Sequence, residues 1–244
     1  MSAWMEGLRL WHRAWRYRLG RDHNEIRFLL DHLQPGQTAV DVGAHKGAYT
    51  HWMRHAVGEG GRVIAFEPQP LLAARLEQLF PQPGTVTVER LALSARGGTS
   101  RLLLPGAGDS SPGARLMDDG ETEEAGRVVG EIALTTLDDY LLPRKLAPAL
   151  LKIDVEGREM EVLQGGTGLL SSARPHILLE CEARHQRGHA MADVFAVLRE
   201  LGYEGGFFLQ DRPQPLSAFR PEMQGADFHA KGYINNFFFS PSGG

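Results

Sequence analysis

One cysteine, Cys181, stands in 244 residues, which excludes an intramolecular disulfide and a zinc site built from clustered cysteines; a reducing cytoplasm fits. No run stays apolar for the length a bilayer crossing needs. Glu6, Arg9 and Arg13 break up the N-terminal segment, so neither a membrane span nor a signal peptide is supported. A basic excess is missing too. Lys and Arg total 26 against 30 for Asp and Glu, a net charge of -4, which argues against a general nucleic-acid binder. What remains, 42% hydrophobic and 23% charged residues, suits one large α/β domain with an ample core.

Two parts are expected. Over residues 1–34, Trp4, Leu8, Trp11 and Trp15 fall at helical spacing on one face, with Arg9, Arg13 and Arg16 on another. Such a helical extension packs on the domain or in a homodimer, with a lid over a cleft or contact with a membrane surface as alternatives. Over residues 35–244, β runs near 38–42, 62–67 and 85–93 alternate with helical patterns near 48–56 and 69–80, and the alternation continues after residue 149. That pattern predicts a parallel sheet with crossover helices. The last two β runs, near 203–209 and 235–240, have no long helix between them and predict an antiparallel hairpin at the sheet edge. Two irregular stretches, 106–127 with six acids and 211–232 with three prolines, are expected to shape or cover a cleft.

A further absence bears on the ligand. Thr38 to Thr50 reads as a strand entering a glycine turn and then a helix, with Gly43 and Gly47 freeing the backbone. The Gly-x-Gly-x-x-Gly pattern that seats a pyrophosphate lacks its middle glycine here. Asp41, just before the turn, repels a diphosphate but can hold a cationic amino group. Glu67, at the end of the next apolar strand, can accept both hydroxyls of a ribose. Together these predict S-adenosylmethionine rather than NAD.

A second strand, Ala149 to Asp154, runs straight into a helical pattern from Glu156 to Leu163, which puts the Asp154 carboxylate at a strand end facing the cleft. Taken in order, Asp41-Val42-Gly43-Ala44-His45-Lys46-Gly47, Phe66-Glu67-Pro68, Leu134 to Tyr140, Lys152-Ile153-Asp154-Val155-Glu156-Gly157 and Leu178-Leu179-Glu180 resemble the FkbM family of S-adenosylmethionine-dependent methyltransferases, over about residues 36 to 182. The resemblance implies a class I methyltransferase fold, a doubly wound seven-stranded sheet with the last strand antiparallel, and O-methylation of a hydroxyl on a sugar, glycan or other natural product. It implies that Asp41, Gly43, Ala44, Gly47 and Thr50 line the methionine side, that Glu67 holds the ribose and that Ala92 lies near the adenine. His45 stands where the family more usually has asparagine, and is carried as a cofactor neighbour.

The acceptor hydroxyl needs a base within hydrogen-bond reach. Candidates are Asp154, Glu180 and His185, with Glu182, His189 and His229 also in range by sequence. A metal-assisted variant would join Asp154 with Glu180 or Glu182 around magnesium. Against it, Lys152 and Arg184 lie close enough in sequence to pair with those carboxylates instead. An NAD-linked oxidoreductase and a non-catalytic nucleoside-binding domain are the competing readings.

Overall fold

The computed structural model describes residues 3–20, 22–105, 110, 113–117, 127–225, 227 and 232–243. The six acids expected in the first irregular stretch, and His229, lie outside the described residues. Two helices, α1 (Ala3–Leu19) and α2 (His23–His32), precede the first strand, β1 (Thr38–Val42). From there β1, α3 (Ala48–Val57), β2 (Arg62–Phe66), α4 (Pro70–Leu79) and β3 (Val86–Glu89) alternate as the hydrophobic pattern predicts. After a detour described below, the chain returns through α5 (Leu137–Leu141), β8 (Pro148–Ile153), α6 (Glu159–Gln164), α7 (Thr167–Ala173), β9 (His176–Glu180) and α8 (Met191–Glu200).

β1 pairs in parallel with both β2 and β8. The chain builds outward from β1 through β2 to β3, then crosses back to lay down β8 and β9 on the other side. Between β1 and β8 the winding reverses, and in open α/β sheets the crevice beyond the strand carboxyl ends at such a point receives ligands. Alternate side chains feed separate cores. Val40, Val42, Ile64, Phe66, Leu151 and Ile153 pack with Leu137, Val162, Leu169 and Val194. Ala39, Val63, Ala65 and Leu150 pack with Leu10, Ile26, Leu29 and Met53 from the first three helices. Helices on both faces explain why these strands read as nearly continuous apolar runs.

The far edge differs in detail from the sequence expectation. β10 (Tyr203–Leu209) and β12 (Asn236–Pro241) do pair antiparallel, but β12 inserts between β9 and β10. The hairpin that closes the edge is β10 with β11 (Arg212–Pro215), an eighth strand in the sheet.

The expected run over 85–93 is split. β3 ends at Glu89, and β4 (Ala92–Leu93) joins a second sheet with β5 (Gly98–Leu104), β6 (Arg115–Leu116) and β7 (Arg127–Thr135), in the order β4-β7-β5-β6. Its small core gathers Ala92, Leu102, Leu116 and Ile132. The part of the first irregular stretch that is described thus belongs to a sheet.

The tryptophan stripe of α1 is not its buried face. Leu10 and Ala14 are buried, Trp15 meets Trp52 edge-on at 5.3 Å, and the Trp52 indole N–H donates to the Ala14 carbonyl at 2.9 Å. Trp4, Leu8 and Trp11 point to solvent, at 72%, 47% and 54% exposure. Among the described residues no helix is long and apolar enough to cross a membrane.

Candidate active site

The turn after β1 is shaped by two glycines. Gly43 (φ +79) and Gly47 (φ +78) occupy the left-handed region that side chains disfavour. A Cβ on Gly43 would fall 1.9 Å from the Asp154 carbonyl oxygen, so the glycine lets the ends of β1 and β8 close up. The Gly43 and Ala44 amides both donate to the Phe66 carbonyl at 3.0 Å, tying the turn to β2. His45 is also left-handed, at φ +49, a conformation that asparagine and histidine tolerate better than most residues. That accounts for a histidine at this position of the turn.

Glu67 ends β2 inside this cradle, almost fully buried. One carboxylate oxygen accepts the His45 backbone N–H at 2.6 Å and the other accepts the Gln69 N–H at 2.8 Å. Burial pushes its pKa up to about 7, against those two donors that favour the charged form. Each oxygen keeps a further lone pair for a hydroxyl.

Beside it lies a charged chain. Asp41 and Lys152 are register partners across β1 and β8, with Lys152 Nζ 3.9 Å from Asp41 and 3.0 Å from Asp154. The ammonium sits over the Tyr49 ring at 4.7 Å. Burial alone would lower its pKa, but Asp154, Asp41 and Glu180 together hold it above the ordinary value. Glu180, at the end of β9, is pushed the other way, well above the carboxylate range, by burial and then by the Asp154 charge; it accepts a hydrogen bond from Asn235 Nδ2 at 2.8 Å.

Two cavities open on this chain. The smaller, about 400 Å³, is lined by Gly43, His45, Phe66, Glu67 and Pro68, by Leu91 to Leu93, and by Leu116 from the second sheet. The larger, about 910 Å³, is walled by Arg13, Arg16 and Tyr17 of α1, Asp22 and Glu25 at the start of α2, Tyr49, Lys152, and residues from the β10–β11 turn and 232–236. Gly43, His45, Lys46, Asp154 and Glu180 line both.

The predicted residues therefore divide. Gly43, His45, Glu67 and Ala92 line the smaller cavity, Ala44 the larger, and Asp154 and Glu180 the junction. Asp41 and Thr50 line neither. Both are fully buried, and the Thr50 hydroxyl donates to Asp41 at 2.5 Å, which fixes Asp41 beside Lys152 behind the turn. Gly47 also sits behind the turn, where a Cβ would crowd Leu76 and Phe80.

His185 stands apart from the two cavities described. Its Nδ1 pairs with Glu156 at 2.8 Å, which raises its pKa, and it faces neither cavity. Glu182 is tied up by Arg184 at 2.6 Å and by the Tyr233 hydroxyl. The weighed alternative, that Lys152 and Arg184 neutralise these carboxylates, is what forms. Among the described residues no group of three or more His, Cys, Asp or Glu side chains is placed to hold a metal ion, and Lys152 and Arg184 engage the Asp154 and Glu182 carboxylates that the magnesium variant would use.

Arg13, Arg16, Tyr17, Glu25, Tyr49 and Asn235 went unrecognised as site residues. They come from segments without a motif, and only the arginine spacing on α1 hinted at them. Among the described residues several buried polar atoms lack a hydrogen-bond partner, His45 Nε2 in the turn and a Glu25 carboxyl oxygen among them; burial together with Lys46 brings the His45 pKa down to about 4, leaving the ring neutral near pH 7.

Comparison with known proteins matches residues 41–204 to the methyltransferase FkbM domain. The hexuronic acid methyltransferase AglP of Haloferax volcanii is 30% identical over 172 residues, covering 69% of this chain and 66% of the relative. The crystal structure of methyltransferase FkbM from Methylobacillus flagellatus superposes with a TM-score of 0.53 at 16% identity, over 88% of this chain and 50% of that one. The chain thus spans about two thirds of the curated relative's length and half of the crystallised one. A putative rRNA methylase from Clostridium thermocellum gives a TM-score of 0.49 at 12% identity, covering 90% of this chain and 95% of its own.

Proposed function

The chain belongs to the FkbM methyltransferase family, and from that premise we propose that it transfers a methyl group from S-adenosylmethionine to a hydroxyl on a sugar, glycan or related natural product. The family match sets the NAD-linked alternative aside. The observation that carries the reading is the junction. A cavity containing a buried carboxylate meets a second, larger cavity at Asp154 and Glu180, beyond the carboxyl ends of β8 and β9. Support for a sugar-derived acceptor comes from the name of the Haloferax relative.

The smaller cavity suits the donor. Glu67 has lone pairs free for a ribose diol, Pro68 and Leu91 to Leu93 offer an apolar surface for a base, and the unpartnered His45 Nε2 awaits a polar group. When bound, S-adenosylmethionine supplies a methyl group already activated on a sulfonium. The chain's own part is alignment and proton handling. Lys152 fixes Asp154 at the junction through the 3.0 Å ion pair. The acceptor's O–H proton passes to the Asp154 carboxylate as the new C–O bond forms. Glu180, whose pKa is raised by burial and by the Asp154 charge, lies beside Asp154 at the junction and orients the acceptor by a hydrogen bond.

The test uses isotopically labelled methyl donor with a panel of sugars and sugar acids. Wild-type protein should label at least one, and Asp154→Ala should lose about 100-fold in turnover while its affinity for S-adenosylhomocysteine stays within about threefold. Turnover by Asp154→Ala at the wild-type rate would remove Asp154 from the chemistry. No calorimetric heat with S-adenosylhomocysteine and wild-type protein would remove the donor itself.

A further inference from the structure

Methyl transfer as proposed leaves one set of side chains without a task. Arg13 and Arg16 from α1 and Lys46 from the glycine turn line both cavities at their common mouth. They are held together, not scattered: Arg13 Nη1 donates to the Lys46 carbonyl at 3.2 Å. Among the described residues no ion pair engages any of the three. The Lys46 pKa is lowered by burial and then by Arg13, Arg75 and Arg16, with no acid among the causes. Like charges gathered this way repel one another, Arg13 and Lys46 being half-buried and Arg16 exposed, and an anion bound among them relieves that repulsion.

The larger cavity also carries acids that the smaller lacks. Asp22, Glu25 and Asp211 line it alone, and Asp154 and Glu180 are shared. Glu25 is buried, with one carboxyl oxygen lacking a partner. The larger cavity therefore offers both signs of charge, with Arg13, Arg16 and Lys46 common to the two cavities and Asp22, Glu25 and Asp211 its own. A neutral sugar has no use for the cations, whereas a sugar bearing an oxyanion can be held in one orientation, its charge on the guanidinium forks and its hydroxyls on the acids.

We infer, on the basis of the methyl-transfer reading, that the acceptor is a sugar carrying a carboxylate or phosphate ester, that Arg13, Arg16 and Lys46 bind this oxyanion, and that they thereby set which hydroxyl reaches Asp154. These are specificity-determining residues, acting on a part of the acceptor that does not react.

Calorimetry on protein saturated with S-adenosylhomocysteine tests it, with glucuronate, glucose 6-phosphate and glucose as probes. At least one anionic sugar should bind about tenfold more tightly than glucose, and added salt should erode only that difference. A preference for glucuronate or for glucose 6-phosphate tells the carboxylate from the phosphate ester. Arg16→Gln and Lys46→Gln should each cut the anionic sugar's affinity about tenfold, with S-adenosylhomocysteine binding unchanged within about twofold and a normal melting temperature. Equal binding of glucose and both anionic sugars, or no heat from any of them, overturns the inference. So does weakened S-adenosylhomocysteine binding in the variants with sugar discrimination intact, which would assign the cations to the donor's own carboxylate. Failure of wild-type protein to bind S-adenosylhomocysteine is a separate outcome, and takes down the methyl-transfer reading together with this inference.

Discussion

The smaller cavity draws most of its lining from short stretches at the ends of β1, β2 and β8, closed over by the small second sheet; α1 and Glu180 border both cavities, and the larger alone adds α2, the β10–β11 turn and residues 232–236. The first is a local product of strand-turn-helix geometry, repeated at adjacent strand ends. The second exists only because elements far apart in sequence pack on one face of the sheet. The difference fits a division of labour, with a pocket for a common donor assembled from contiguous motifs and a pocket for a particular acceptor assembled from whatever the rest of the chain brings near.

Lys152 lines the larger cavity and pairs with Asp154 where the two meet, so its loss should have the largest effect. Lys152→Met strands Asp41, Asp154 and Glu180 without their shared cation, and breaking a buried pair in this way costs about 3–5 kcal/mol. Denaturant unfolding would show it. A loss below about 1 kcal/mol would mean that the three carboxylates are relieved by something other than Lys152.

Glu67 separates the cavities. Glu67→Ala should weaken S-adenosylhomocysteine by about 100-fold, or about 2.7 kcal/mol, and leave the acceptor cavity intact. The wild-type affinity should also depend on pH. Because the Glu67 pKa is pushed up to about 7 in the empty pocket, lowering pH through that value protonates the group and removes an acceptor from the ribose. Affinity should fall by up to about tenfold per pH unit below it. A flat profile between about pH 5.5 and 8.5 in calorimetry would break the assignment.

Glu25 sharpens the same contrast from the side of the larger cavity. Burial pushes its pKa from 4.5 up to about 8, so between those values the folded chain holds a proton that the unfolded chain releases. Stability should therefore fall as pH rises across that window, at up to about 1.4 kcal/mol per pH unit. Glu25→Gln keeps the shape without the titration and should flatten this part of the curve in thermal scans at stepped pH. An unchanged slope in Glu25→Gln would show that the acceptor wall is wetter than its packing implies.

What the linear chain determined on its own was the local backbone around the smaller cavity: a glycine turn after a buried strand, an acid at the end of the next, and Asp154 ahead of a helix. In each case a run of neighbouring residues is enough to dictate both the local backbone and the direction of the chain. Packing decided the rest. Asp41, read as a ligand contact, is fully buried because β1 and β8 pair in a register that sets it opposite Lys152, and no local pattern encodes register between strands a hundred residues apart. His185 pairs with Glu156, and β4, β5, β6 and β7 formed a second sheet because short strands gain stability only from partners. The arginines of α1 reach the cleft because Leu10, Ala14 and Trp15 seat that helix on α3. Burial of that apolar surface brings residues 13, 46, 154 and 180 around one space, a proximity that only the folded chain possesses.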